Sequence, residues 1–268
     1  MAINERIPRR AIVALNPAVN RLLYQSRLKD DGGRAFVPTG VGRVTTAIHQ
    51  RLFEHGIAPP WVLSAERCQE YWRSRGDSDD PNAPKTYASK PVEIVGFLNE
   101  FWQPEVTAAD SVLEVGCNAG TNLQALAHLG FSKLAGVEIN PAAINEMRGT
   151  YPELARSADI HTGRLEDVLP AMQPASHDVV FSMAVLIHLH PSSRAVFSEM
   201  VRIARKYVCV IEAERVTNAY VFARNYRRVF ERLGAEQIRE YTISRAALGK
   251  PAPHTYIGYT ARLFGVPG

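Results

Sequence analysis

Leu113 to Gly120 reads LEVGCNAG, an apolar run that feeds two glycines separated by Cys117, Asn118 and Ala119. The helix-like TNLQALAHL follows at once, so the stretch has the order strand, tight turn, helix N-terminus. Such a turn presents free backbone N–H groups and lets a ligand approach the chain closely. Asn118 occupies the middle of the turn, and asparagine is among the few residues besides glycine that tolerate a left-handed backbone. A dinucleotide fingerprint needs the pattern G-x-G-x-x-G, but here Gly116, Asn118 and Gly120 are followed by Thr121. Glu114, two residues before the first glycine, would repel a pyrophosphate and favour a cationic ligand.

Glu138 stands twenty-four residues after Glu114, in AGVEINP, at the end of the next β-like run and just before a proline-started helix. In an open α/β sheet, an acid at that place can accept hydrogen bonds from both hydroxyls of a ribose. The competing reading is a solvated carboxylate at a strand end.

From Asp110 onward, strand and helix patterns alternate. SVLEV, KLAGVEI, DIHT, HDVVFSM and YVCVIEA are β-rich, as is a later pair near EQIREYTI and HTYIGYTARLF. Between them TNLQALAHLG, AAINEMRGTY, SRAVFSEMVRIAR and AYVFARNYRRVFERLG have helical spacing, with Gly130 and Gly234 at C-cap positions. Such alternation predicts βαβ units and a parallel sheet covered on both faces.

The first hundred residues read differently. Ala11 to Lys29 and Val44 to Glu54 have helical spacing, separated by the loop-like DDGGRAFVPTGVG. A short aromatic helix, ERCQEYWRSR, then precedes the breaker-rich GDSDDPNAP and the helical VEIVGFLNEFW. We therefore divide the chain into a helical extension or cap, residues 1–104, and an α/β domain, residues 105–268.

No apolar run among the 268 residues approaches the roughly 20 needed to span a bilayer, and MAINERIPRR lacks the apolar segment of a secretory signal. A cytoplasmic location is the default expectation, with no membrane partner. Cys68, Cys117 and Cys209 lie far apart and suggest neither a disulfide framework nor a zinc site. The net charge of +4 comes from scattered arginines, which argues against a nucleic-acid partner.

Taken together and in order, VLEVGCNAGTNL, GVEINP, HTGRLEDVLP and HDVVFSMAVLIHLHP resemble the class I S-adenosylmethionine-dependent methyltransferases, over roughly Asp110 to Ala213. The resemblance implies a Rossmann-like, mostly parallel seven-stranded sheet with helices on both faces. It also implies that S-adenosyl-L-methionine is the cofactor. Glu114, Gly116, Cys117, Asn118 and Gly120 would then form the loop under the methionine part and ribose, with Asn122 beside it. Glu138 would hold the ribose hydroxyls, with Ile139 adjoining, and Ser182 and Met183 would end a strand beside the sulfonium. The family usually places an acid or amide just after the glycine of TGRLEDVLP to bind adenine. This chain has Arg164 there, so Leu165 through its backbone or Glu166 through its carboxylate become candidates as well. Tyr87, in KTYASKP, would close over the cofactor.

Methyl transfer from a sulfonium is an in-line displacement that needs alignment and dryness and no enzyme nucleophile. A hydroxyl acceptor would benefit from a base, and His188, with His190 close by, is the nearest histidine to the expected methyl site. The H-x-H pair lacks a convincing third ligand, so no metal is expected. A D/N-P-P-Y tetrapeptide, common among enzymes acting on base or amide nitrogens, is missing after HDVVF. These features favour O- or N-methylation of a small molecule, a sugar or a specialised metabolite. Candidates for the acceptor side are Trp72, Arg73 and Arg75 in the extension and Glu212, Glu214, Tyr220, Arg224, Tyr226 and Arg227 after YVCVIEA. Two other readings are a non-catalytic cofactor-binding partner on the same fold and a nicotinamide-dependent oxidoreductase, the latter disfavoured by the missing third glycine. The N-terminal helices could cap their own site or reach across to a second subunit in a homodimer.

Overall fold

The computed structural model describes residues 26–30, 34–76, 83–89, 93–215, 217–218, 220–248 and 256–268. Most of the expected Ala11–Lys29 helix, and residues 77–82 of the breaker-rich stretch, lie outside these residues.

Seven strands form one sheet in the order β5-β4-β3-β6-β7-β9-β8. The strands are β3 (Val112–Val115), β4 (Leu134–Glu138), β5 (Asp159–Thr162), β6 (His177–Met183), β7 (Ala204–Glu212), β8 (Glu236–Thr242) and β9 (Thr260–Gly265). The first five are parallel, and β9 runs antiparallel between β7 and β8. This is the expected Rossmann-like, mostly parallel sheet. β3 and β4 are buried along their whole length, the consequence of helices on both faces.

One face packs on α4 (Glu93–Trp102) and α5 (Thr121–His128), where Trp102, Phe181 and Leu123 are fully buried. The other packs on α9 (Ala195–Ile203) and α10 (Tyr226–Glu231), through Phe197, Met200 and Phe230. Gly130 and Gly234 end helical runs with φ of 93° and 88°, the left-handed C-cap expected of them. The strand order reverses between β3 and β6, which opens a crevice at the C-terminal ends of β3, β4 and β6.

Two elements differ from the sequence reading. β1 (Ser26–Asp30) and β2 (Arg34–Pro38) form an antiparallel pair in register Ser26↔Pro38, where the end of a helix and part of a loop were expected. Each segment satisfies its backbone only through the other, a pairing that periodicity within one segment does not reveal. Over the described residues 220–234 the expected helical pattern forms helix only at Tyr226–Glu231, because the chain before it is drawn across the loop after β6, with the Phe222 amide bonded to the Ile187 carbonyl at 2.7 Å.

The remaining helices of the N-terminal region are α1 (Val41–Glu54), α2 (Ala65–Arg73) and α3 (Pro84–Ala88). α1 is fastened to the α/β core by Glu54, whose carboxylate meets Arg228 at 2.6 Å and Arg232 at 3.6 Å and also accepts the Asn225 amide. The Gln50 amide group adds a bond to the Glu214 carbonyl. Phe53 packs edge-on against Phe222, which continues the core into the cap. Glu54→Ala should therefore cost about 1–3 kcal/mol in chemical denaturation, since it strands two arginines and a backbone donor. An unchanged unfolding midpoint would show that α1 is not held by this carboxylate.

Candidate functional site

The cavity of interest sits in the crevice at the strand ends. Its floor is the glycine turn, its sides are the loops after β4, β5 and β6, and its roof is α2. Of the sixteen cofactor and base candidates named from the sequence, twelve line it: Tyr87, Gly116, Cys117, Asn118, Asn122, Glu138, Ile139, Leu165, Glu166, Met183, His188 and His190. Glu114, Gly120, Arg164 and Ser182 stand outside its wall.

Backbone geometry explains the composition of the turn. Gly116, Asn118 and Gly120 have φ of 80°, 48° and 77°, so the asparagine takes the left-handed conformation anticipated for it. A Cβ on Gly116 would lie 2.4 Å from Cγ2 of Val185, and one on Gly120 would lie 2.7 Å from Cε of Met147. The asparagine side chain is used within the turn, its Oδ1 accepting the Ala119 amide at 2.8 Å. Cys117 contributes backbone to the cavity. Its buried thiol lies where a Cβ on Gly136 would come within 2.7 Å of Sγ, so the thiol closes the gap between the turn and β4.

Two carboxylates organise this end of the sheet. Glu138 is buried, with Oε2 accepting the Asn118 amide at 2.8 Å and Oε1 accepting the Asn140 amide at 2.9 Å. One side chain thus ties the glycine turn to the start of α6 (Pro141–Thr150), which α7 (Pro152–Ser157) follows. Burial pushes its pKa up while the amides of Asn140, Asn118 and Ile139 oppose the rise. Glu114 is 1 % exposed; Oε1 accepts from Nδ2 of Asn122 at 2.6 Å, and Oε2 has no hydrogen-bond partner among the described residues. Burial raises its pKa to about 8 against the pull of Asn122, with the charge of Glu138 adding to the rise.

Beyond β5, α8 (Leu165–Val168) brings Leu165 and Glu166 to the wall. Arg164 is turned outward in a bidentate pair with Asp167, with both contacts at 2.6 Å. Glu166 Oε1 accepts from Ser193 Oγ at 2.6 Å and from Gln69 Nε2 at 3.3 Å, which links the wall to α2. Beyond β6, Ser182 is wholly buried and donates to Glu212 at 3.1 Å, while Met183 Sδ receives Asn122 Nδ2 at 3.8 Å. His188 follows on a 3-10 turn, Leu186–His188, with its ring 4.6 Å from that of Trp72. Burial lowers the His188 pKa to about 4 despite a backbone hydrogen bond to Tyr220, so the ring is neutral near pH 7. Nδ1 of that ring has no partner among the described residues.

Trp72 and Arg75 reach the cavity as the sequence suggested, whereas Glu212, Arg224 and Tyr226 do not. These three are wholly buried, so they are unavailable to an acceptor. Gln69, Thr121, Asn140 and Tyr256 are cavity residues that sequence reading missed. The available signal was Asn140 before Pro141: its Oδ1 caps α6 through the Ala142 amide, and its Nδ2 donates to the Arg75 carbonyl at 2.7 Å, holding the end of α2 over the cavity. Among the described residues, no group of three histidines, cysteines or acids is arranged to hold a metal ion.

The ionisation of Glu114 gives a stability test. Its folded pKa of about 8 exceeds the ordinary 4.5, so the native state holds the extra proton between these values and loses stability as pH rises through that window. Glu114→Gln abolishes that titration. The melting temperature of the variant relative to the parent should climb from about pH 5 to about pH 8, and a difference independent of pH would contradict the assignment.

Residues 112–207 match a family model described as a methyltransferase domain. No curated protein matches the chain by sequence. Among solved structures, the chain is similar to geranyl diphosphate C-methyltransferase from Streptomyces coelicolor A3(2), at 10 % identity and a TM-score of 0.56, over 78 % of this chain and 100 % of that one. It is also similar to magnesium protoporphyrin IX methyltransferase from Synechocystis PCC 6803, at 14 % identity and a TM-score of 0.53, over 82 % and 99 % of the two chains. The [4+2]-cyclase SpnF shares the fold too, at 14 % identity and a TM-score of 0.51, over 65 % and 80 %. At these identities the likeness is one of fold, and it extends to an enzyme with a different reaction. Residues 112–207 thus match the methyltransferase-domain model, and the seven-stranded sheet around them has the Rossmann-like fold of the class I S-adenosylmethionine-dependent enzymes.

Proposed function

We propose that this protein binds S-adenosyl-L-methionine in the cavity over the glycine turn and directs its methyl group to a hydroxyl, or an amine, of a small molecule. The observation that carries the reading is Glu138, a buried carboxylate that lines the cavity at the end of β4 and ties the glycine turn to the start of α6. Behind the turn, Glu114 keeps an oxygen without a donor among the described residues, and its charge would favour a cationic ligand in the cavity through the field and not by direct contact.

Bound there, the cofactor would supply an electrophilic methyl group on a sulfonium. The chain's own residues would do the rest. Glu138, held by backbone amides, has acceptor capacity left on its carboxylate for a ribose hydroxyl. Gly116, which lines the cavity, has no room for a side chain because Val185 packs against it, so the turn would meet the ligand through backbone. Ile139 and Leu165 offer apolar surface to a base, with Glu166 the nearest acceptor. Arg164 is engaged by Asp167, so a role for it would run through its backbone. Met183 and Tyr87 adjoin the expected sulfonium position, with Asn122 shared between Glu114 and Met183.

His188 is the candidate base. Its imidazole is neutral near pH 7 and its ring lines the cavity; Nδ1, buried and without a partner among the described residues, is the nitrogen left to take a proton from an acceptor hydroxyl once a bound acceptor reaches it. The low pKa makes it a weak base that assists deprotonation late in the displacement, which suits an acceptor already acidified by partial methyl transfer. Trp72 over the ring and the apolar surroundings would keep water from competing for the methyl group. A sugar or a specialised metabolite remains our proposed acceptor class.

Titration calorimetry with S-adenosylhomocysteine tests the cofactor. Binding should be measurable, and Glu138→Ala should weaken it by about 1–3 kcal/mol. No binding by the folded parent would overturn the proposal. A second outcome follows from Glu114: binding a cation favours its ionised form, so affinity should rise from about pH 6 to about pH 8 with proton release into buffer. Affinity that is flat across this range in the parent, and equal in Glu114→Gln, would remove Glu114 from the site.

A further inference from the structure

The turn that carries His188 is gripped from two sides by buried charges. Glu212, at the end of β7, accepts the Val185 amide at 3.0 Å and the Leu186 amide at 2.9 Å on Oε1, and the Ile187 amide at 3.2 Å on Oε2. Arg224 approaches the same turn from the segment before α10. Its Nη1 donates to the Leu186 carbonyl at 3.0 Å and its Nη2 to the Leu189 carbonyl at 2.7 Å. A third bond from Nη1 goes to the Phe222 carbonyl at 3.0 Å, and the guanidinium carbon lies 5.2 Å from the Phe197 ring centre. Both side chains are 0 % exposed.

Other backbone bonds hold the turn as well. His188 N–H bonds to the Val185 carbonyl at 2.9 Å, Leu189 N–H to the Leu186 carbonyl at 3.2 Å, and Phe222 N–H to the Ile187 carbonyl at 2.7 Å. A single 3-10 turn cannot satisfy its own end groups, and such short pieces are poorly stabilised by their internal bonds. Here one carboxylate collects the orphan donors and one guanidinium collects the orphan acceptors. Neither side chain reaches the cavity, so neither can act on a substrate directly.

We infer that Glu212 and Arg224 are a pair of positioning residues that fix His188: together they lock the turn Leu186–His188 and hold the imidazole against Trp72 with Nδ1 left free. The catalytic part of this inference rests on the reading of His188 as a base; the structural part does not. Glu212 acts at the N-terminal side of the turn and Arg224 at its C-terminal side. Arg224 also couples the turn to the irregular segment 220–225, which explains why that segment is not helical.

The test uses the full chain with Arg224→Lys, and with the isosteric Glu212→Gln should the first variant fail to fold. Lysine keeps the charge but cannot span the Leu186 and Leu189 carbonyls with one planar fork. The expected kinetic result is a fall in kcat of about 10- to 100-fold, with the S-adenosylhomocysteine dissociation constant unchanged within about twofold, the pattern of a misplaced group and not of lost binding. In His188→Ala, adding Arg224→Lys should cost nothing further, because its effect passes through the missing ring. Nitrogen NMR of the imidazole in ligand-free protein at about pH 7 provides a readout independent of turnover. The parent should show one tautomer with Nδ1 unprotonated, and the variants a mixture. A folded variant with unaltered His188 ring signals would overturn the inference, as would a full additional loss in the double variant. If His188→Ala leaves turnover intact, the base reading fails, and the ring signals alone still decide whether the pair positions the histidine.

Discussion

Buried carboxylates at the C-terminal ends of strands are the constraint on which the upper half of this molecule depends. Glu114 near the end of β3, Glu138 on β4 and Glu212 on β7 are each removed from water. A carboxylate in that position is tolerable only if donors surround it, and the donors within reach are the amides of the loops that leave neighbouring strands. Glu138 gathers the glycine turn and the start of α6; Glu212 gathers the turn after β6. The loops owe their shapes to these acids more than to internal propensity.

Glu114 departs from this arrangement in a way that bears on function. It has one side-chain donor, Asn122, and one oxygen with none among the described residues. Where the other two acids order the chain, this one is left short of a partner at the base of the crevice. The matched methyltransferase domain and the buried acid favour the same kind of ligand, a cationic cofactor. The likeness to a [4+2]-cyclase is a reminder that this fold alone does not specify methyl transfer. The chemistry has to be argued from the side chains, and His188 with its supported turn is the strongest of them.

Much of the site was legible in the sequence for a local reason. The spacing of Gly116, Asn118 and Gly120 encodes a backbone path that few other residues can follow, and their φ values bear this out. Glu138 ahead of Asn140 and Pro141 marks a strand end and a helix start in adjoining residues. Strand and helix periodicities of residues 110–265 likewise arise from burial on two faces, which leaves a pattern along the chain itself. The β1–β2 pairing, by contrast, and the irregular chain before Tyr226, depend on partners that no local window contains.

By itself, then, the sequence determined the sheet, the glycine turn, the acids on β3 and β4 and the presence of a histidine after β6. Only the tertiary structure decided which side chains face the cavity. Arg164 turned away to Asp167, Asn118 spent its side chain on its own turn, and Glu212 and Arg224 withdrew beneath the His188 turn instead of lining the acceptor space. α2 came to roof the site through Asn140, a contact between residues 65 apart in the chain. The physical reason is common to all four. A polar side chain's orientation is set by which donor or acceptor it can reach after the backbone has packed, and that competition is settled between segments distant in sequence.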